Sequence, residues 1–273
     1  MTLDKDLITQ PQLWQLVMEL TPSALCVMAF SPVEHDAMIS TEIALDPAST
    51  PLKAFQDAVY ANPLLLSDFK VVTMLLPETR FMPVPHILSD TDSDRIIFRR
   101  AFPEDQAEGA TEILREELPG MDADILMEVN TQLLGFIRRT FNNPRITHAL
   151  APQALYFNGI NRLRSRGKMF VNLRGSRCDV VVLGDGAPLL LNSYPVNHPL
   201  DAVYFVMAIR STLDIHPEEE IILAGDTASR AAVTSLLKRY VRYVIPAIFP
   251  SVMFRAGNAS LRTPFEMIVA PLV

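Results

Sequence analysis

Short apolar runs separated by turn residues fill the first third of the chain. Three of them have the length of strands, at 12–20, 24–30 and 37–45. The segments between them contain proline, serine and aspartate, which favour turns. Apolar residues at helical spacing predict a helix over 52–61, and a run at 71–76 that ends at a proline predicts a further strand. The predicted order is β-β-β-α-β.

Strands and helices also alternate in the middle of the chain. After a polar stretch around 90–94, the pattern predicts helices at 111–118, 133–140 and 152–163, with strands at 125–129 and 146–149. The last of these helices opens on proline, as many helices do. Such alternation is typical of an α/β architecture.

The second half of the chain repeats the order of the first. Three strands, a helix and a strand are predicted at 168–173, 178–183, 188–194, 200–213 and 220–223. A duplication of this length indicates two related lobes rather than a solenoid, with boundaries expected at 1–166 and 167–273. We expect 12–76 to superpose on 168–223. The tail predicts a helix at 229–242, an apolar segment at 244–254 and a closing strand at 265–270.

Composition narrows the class of protein. The chain has 273 residues, 49% of them hydrophobic and 20% charged, which favours a globular α/β protein over a disordered one. A formal charge of -7 opposes general binding to nucleic acid or to anionic membranes. Two cysteines, Cys26 and Cys178, and no long apolar span predict a cytoplasmic protein without membrane insertion. Both cysteines are expected to be buried at equivalent places in the two repeats.

Familiar metal motifs are incomplete in this sequence. The acidic stretch from Asp90 to Asp94 begins like a calcium loop, but Arg95 and Ala101 stand where that loop needs glycine and glutamate, so a solvated acidic loop is expected. The five histidines lack zinc-site spacing, so no metal is expected. A basic run at 162–168 is interpreted as a solvated linker or a salt-bridged hinge, with docking to an acidic partner as the alternative.

Two lobes that each begin with a strand, a tight turn and two more strands resemble the actin-like ATPase fold, which is a duplicated ribonuclease H-like fold. The chain also resembles an uncharacterised bacterial family of unknown function assigned to that fold. The resemblance covers nearly the whole chain, and the residues that carry it are at 20–23, 70–83, 138–141 and 146–148.

The resemblance implies a nucleotide cleft between the lobes, built from two phosphate-binding turns and a glycine motif. The matching positions are Glu19, Thr21, Ser23, Asn172, Arg174, Gly175, Gly225 and Asp226. All three motifs depart from the pattern. Pro22 removes an N–H donor from the first turn, and Arg174 stands where the second turn is expected to have glycine. One interpretation is that Arg174 and Arg177 donate to phosphate in place of the lost N–H groups. The other is that Arg174 is a solvated turn residue and Gly175 only turns the hairpin.

These departures predict a non-catalytic scaffold or protein-binding module with a degenerate nucleotide site and no cofactor. The alternative is an ATP-binding protein, or an ATPase or kinase-like enzyme, that holds ATP and magnesium in the interlobe cleft. An unidentified protein is the expected partner, and a second copy of the chain is one candidate. The fold predicts that Glu19, Arg174, Gly175, Gly225 and Asp226 converge, with Glu19 or Asp226 neutralising Arg174.

Overall fold

The structure is a computed structural model that describes residues 3–33, 37–103, 109–161, 169–184, 187–250 and 263–273. The basic run at 162–168 lies outside the described residues, so its interpretation as a linker stays a prediction. The first half of the chain contains, in order, β1 (Gln15–Leu20), β2 (Ala24–Phe30), β3 (Met38–Ala44), α1 (Pro51–Tyr60), β4 (Val71–Leu76), β5 (Phe81–Pro85), α2 (Thr91–Ala101), β6 (Thr111–Leu118), β7 (Ala123–Asn130), α3 (Thr131–Thr140), β8 (Arg145–His148) and α4 (Leu150–Asn161).

The second half has a similar beginning. Its elements are β9 (Met169–Arg174), β10 (Arg177–Leu183), β11 (Pro188–Pro195), α5 (Pro199–Thr212), β12 (Ile221–Gly225), α6 (Thr227–Leu237), β13 (Val244–Pro246) and α7 (Phe265–Val269).

Each half builds one five-stranded sheet, and the two sheets have the same strand order. The orders are β3-β2-β1-β4-β8 and β11-β10-β9-β12-β13. In both sheets the first three strands pair antiparallel and the remaining pairs are parallel. The predicted duplication is therefore confirmed at the level of strand order and direction.

A third sheet, ordered β5-β7-β6, and helix α2 are inserted between β4 and α3. The helix predicted at 111–118 is wrong, because this segment is strand β6 and pairs along its whole length with β7. Its charged side chains have partners on neighbouring elements: Glu112 pairs with Arg138, and Glu116 accepts hydrogen bonds from Thr147 and from the backbone of His148. Tertiary pairing thus overrides the local helical pattern.

The acidic stretch at 90–94 starts a helix and is not an open loop. The carboxylate of Asp90 accepts hydrogen bonds from the backbone N–H groups of Asp92 and Ser93, at 3.0 and 2.9 Å, and so caps α2. Two further acids lie in the first turn, where the helix dipole favours negative charge.

The tail is helical where a strand was predicted. Residues 265–270 form α7 and the start of a 3-10 turn, and all six residues are buried. A short apolar run that is buried on every side has no periodicity that separates strand from helix, which explains the error. Helix α6 also begins and ends earlier than the predicted range of 229–242.

Both cysteines are buried and unpaired, as expected, but they are not at equivalent positions. Cys26 lies opposite Glu19 in its hairpin, whereas Cys178 lies opposite Leu173, which precedes Arg174 by one residue. The counterpart of Cys26 is therefore Asp179, which lies opposite Asn172. A shift of one residue places the two thiols on different faces of their sheets.

Candidate functional site

The site is built where the β1–β2 and β9–β10 hairpins face each other. Glu19 near the end of β1 and Asn172 on β9 occupy matching hairpin positions, and both are buried, at 0% and 1% exposure. The second hairpin turns at Gly175, whose φ of 54° is a left-handed conformation that favours glycine. The two strands therefore deliver one polar side chain each to the junction of the lobes.

Two arginines of the second lobe bind a glutamate of the first. Arg174 Nη2 lies 3.1 Å from Glu19 Oε2, and Arg177 Nη2 lies 3.2 Å from Glu19 Oε1. Helix α7 adds a second carboxylate, since Arg174 Nε lies 3.1 Å and Arg177 Nη2 lies 3.8 Å from Glu266 Oε1. The predicted neutralisation of Arg174 by Glu19 is confirmed, and the prediction that it is a solvated turn residue is wrong.

A third carboxylate completes this group. Asp179 on β10 lies 2.9 Å from Arg177 Nε and accepts hydrogen bonds from Gln153 Nε2 at 2.8 Å and from Ser193 Oγ at 2.6 Å. Asn172 Nδ2 donates to Glu266 Oε2 at 2.7 Å. We call Glu19, Arg174, Arg177, Asp179 and Glu266 the interlobe cluster. It sets three carboxylates against two guanidinium groups.

Glu266 is a member of the interlobe cluster whose pKa lies above its ordinary value. The pKa of Glu266 is raised to about 7, first by burial and next by the nearby charge of Glu19, against the opposing effect of Arg177 and Arg174. A protonated Glu266 would leave two carboxylates for two guanidinium groups, which is a neutral arrangement.

The first turn is closed by hydrogen bonds of its own. Thr21 Oγ1 donates to the carbonyl oxygen of Ala24 at 2.9 Å, and the carbonyl oxygen of Ser23 accepts from the N–H of Leu45 at 2.9 Å. These bonds close the β1–β2 hairpin and tie it to the chain after β3. Thr21 and Ser23 thus hold the turn together, and Pro22 between them has no N–H to offer.

Gly225 and Asp226 lie at the end of β12. Gly225 has a φ of 116°, and a Cβ atom there would lie 2.3 Å from the carbonyl oxygen of Leu173. Asp226 accepts a hydrogen bond from the N–H of Ser229 at 2.9 Å and caps α6. Partial burial raises the pKa of Asp226, but the hydrogen bonds at the helix start prevail and lower it. Asp226 is therefore not the carboxylate that neutralises Arg174.

A cavity of about 500 Å³ opens beside the interlobe cluster, at the carboxyl ends of the parallel strands β9 and β12. We call it the β9–β12 cavity. Its lining is formed by Asn172, Leu173, Arg174, Gly175, Ala224, Gly225, Asp226, Thr227, Arg230, Ala247, Phe249, Thr263, Pro264 and Phe265.

Most of the residues expected at the cleft therefore meet. Five of the eight line the β9–β12 cavity, Glu19 reaches it through Arg174, and Thr21 and Ser23 lie outside the lining. The role of all eight residues in nucleotide binding stays a prediction.

Sequence reasoning missed Glu266, which is completely buried and touches both arginines. One signal was available: Glu266 is the only charged residue in the apolar run 265–270. A single acid within a buried run requires a cationic or hydrogen-bonding partner, because a lone charge is costly in an apolar environment.

Two further observations concern the part of the chain that the structure describes. There, no group of three or more histidine, cysteine, aspartate or glutamate residues is arranged to hold a metal ion. Within the same residues, no helix has the length and apolar character needed to cross a bilayer.

Comparison with solved structures identifies the fold. A protein of unknown function with an actin-like ATPase fold from Bacteroides thetaiotaomicron superposes with a TM-score of 0.77 at 17% identity, covering 95% of this chain and 97% of the other. The PilM–PilN type IV pilus biogenesis complex gives a TM-score of 0.53 at 12% identity and covers 96% and 97%. The chain thus has the two-lobed actin-like ATPase fold.

No curated protein matches the chain significantly in sequence. A family model does match, over residues 4–244, and its description is "Protein of unknown function (DUF3822)". The chain therefore belongs to this family of proteins of unknown function with an actin-like ATPase fold.

Proposed function

We propose that this protein is a non-catalytic, protein-binding member of the actin-like fold whose nucleotide site has degenerated. The observation that carries the proposal is the pairing of Arg174 with both Glu19 and Glu266. These contacts occupy the junction where the resemblance places the phosphate-binding turns.

Electrostatics argue against a polyphosphate at this position. To bind one, Arg174 and Arg177 would have to leave buried carboxylates, and an unpaired buried carboxylate is strongly unfavourable. The interlobe cluster also contains more carboxylates than guanidinium groups, so it does not attract a further anion. Pro22 removes a donor from the first turn.

The exposed face of α5 supports a protein partner. Leu200 and Tyr204, one helical turn apart, are 53% and 68% exposed. Apolar side chains left in water next to one another are typical of interaction surfaces. The PilM–PilN complex shows that another protein with this type of fold is found in a protein complex.

The proposal is tested by calorimetry of the purified chain with Mg-ATP, together with an assay of phosphate release. We expect neither heat of binding nor phosphate release above the buffer rate. Micromolar binding with measurable phosphate release would replace the proposal by the alternative of an ATPase or kinase-like enzyme in the interlobe cleft. Isolation of the chain from its own cells, with identification of a protein that co-purifies in stoichiometric amount, tests the partner directly.

A further inference from the structure

The β9–β12 cavity contains one cationic side chain that the interlobe cluster does not use. Arg230 lies in the first turns of α6 and lines the cavity. Its Nε is buried and has no hydrogen-bond acceptor, and among the described residues no carboxylate lies within 4.0 Å of its guanidinium group. A half-buried guanidinium group without an acceptor is a favourable place for an anion.

The other charges of the cavity are already engaged. Arg174 is paired with Glu19 and Glu266, and the carboxylate of Asp226 accepts from the backbone at the start of α6. Because Asp226 offsets the positive end of this helix, the helix dipole adds little attraction for an anion. Arg230 is therefore the group that would bind one, and a single cation suits a single anionic group.

Part of the cavity is lined by apolar side chains. Ala247, Phe249, Pro264 and Phe265 line it, and the rings of Phe249 and Phe265 lie edge to face with their centroids 6.4 Å apart. A volume of about 500 Å³ is within the range of pockets that hold small organic ligands. Aromatic walls favour a flat, apolar ligand body.

We propose that the β9–β12 cavity binds a small aromatic carboxylate, with its carboxylate on Arg230 and its ring between the apolar side chains. A guanidinium group presents two parallel N–H donors that match the two oxygens of a carboxylate. A polyphosphate does not fit this description, because Asp226 and the interlobe cluster place further carboxylates nearby.

Ligand-observed NMR and calorimetry with two matched pairs of probes test the proposal. The pairs are benzoate with benzamide and indole-3-acetate with indole-3-acetamide, which differ in charge but hardly in shape. We expect at least one carboxylate to bind, and its amide to bind about tenfold more weakly or worse, the loss typical of a charge-assisted contact.

Two variants locate the binding. Arg230→Gln should weaken carboxylate binding by about tenfold or more, whereas Arg239→Gln, an exposed control in the turn that follows α6, should leave it unchanged. Ala247→Trp should abolish binding by filling the cavity while it leaves Arg230 intact, and it keeps the test valid if Arg230→Gln fails to fold.

Three results would overturn the proposal: no binding of either carboxylate at millimolar concentration, equal binding of acid and amide, or carboxylate binding that both cavity variants leave unchanged. The proposed function is tested separately, by the binding of Mg-ATP and by the release of phosphate.

Discussion

Arg174 shows how one side chain changes what a nucleotide fold can do. At a position where the phosphate-binding turns of this fold are expected to have glycine, it fills the space with a guanidinium group bound to two buried carboxylates. Both glutamates are fully buried, so each depends on its arginine partners for compensation. The residue that closes the phosphate position therefore also stabilises the junction of the lobes.

Replacing Arg174 by glutamine should lower the free energy of unfolding by about 3 kcal/mol, because it leaves buried carboxylates short of a cation. Denaturant unfolding measures the change. Arg242→Gln is the matched control, since Arg242 pairs with Glu218 on the surface, where both side chains are more than half exposed. It should cost less than about 1 kcal/mol. Equal effects of the two substitutions would show that the buried pair contributes nothing special.

Glu266 predicts a pH dependence of stability. Its pKa is raised from its ordinary value of 4.5 to about 7, so between these values the folded chain binds a proton that the unfolded chain releases. The contribution of this residue is therefore favourable at low pH and is lost as the pH rises through about 7. The stability of the wild type relative to Glu266→Gln should fall as the pH is raised from about 5 to about 8.

Unfolding curves of both proteins across this range measure the difference. Glu78, whose pKa is raised to about 7 mainly by burial, and His148, whose pKa burial lowers to about 4, also titrate abnormally. Their contributions are common to wild type and variant and cancel in the comparison. A difference that does not change with pH would contradict the assignment of the proton to Glu266.

The elements that sequence patterns predict well are those with strong local signals. The two hairpins and the strand at 71–76 are bounded by turn residues, and each appears near its predicted position. Strand β6 was missed because its charged side chains are paired by α3 and β8, which lie far from it along the chain. The buried helix α7 was missed because its short, mostly apolar run has no hydrophobic periodicity that separates helix from strand. The position of Glu266 at the interlobe cluster was therefore not predicted either.

At the level of elements, Gly225 governs how closely β12 approaches β9. A Cβ atom would collide with the carbonyl oxygen of Leu173, and the φ of 116° is unfavourable for any other residue. Gly225→Ala should therefore lower the free energy of unfolding by about 2 kcal/mol or more.

Gly159→Ala is its control, since this glycine lies in α4 with nothing within 4 Å of the added Cβ. That substitution should be neutral or stabilise the protein by up to about 1 kcal/mol, because alanine favours helices. Thermal unfolding separates the two outcomes. A tolerated Gly225→Ala would mean that β9 and β12 are not held as closely as the structure shows.

At the scale of the whole molecule, one hydrophobic core contains buried residues of both lobes. Phe157 of α4 stacks on Phe170 of β9 with centroids 4.1 Å apart, and Phe265 of α7 stacks on the other side at 5.3 Å. Together with the interlobe cluster, this stack makes the junction part of the core. Sequence order predicted two related lobes but not this junction, because contacts between distant segments leave no local pattern.

The shared hydrophobic core predicts one cooperative unfolding transition. Scanning calorimetry should give a single peak whose calorimetric and van't Hoff enthalpies agree. Phe265→Ala should lower the stability of the whole molecule by about 3 kcal/mol or more, without producing a second transition. Two separate peaks in the wild type would show that the lobes unfold independently and that the junction is weaker than its contacts indicate.

Titration of Mg-ATP in a calorimeter shows whether Arg174 and its glutamates close the phosphate position. The three proteins compared are the wild type, Arg174→Gly and the surface control Arg242→Gly. We expect no binding of Mg-ATP by the wild type or by the control, and newly gained binding by Arg174→Gly because the substitution reopens the phosphate space. Micromolar binding by the wild type that survives in the control and disappears in Arg174→Gly would contradict this expectation, because Arg174 would then be a working phosphate ligand.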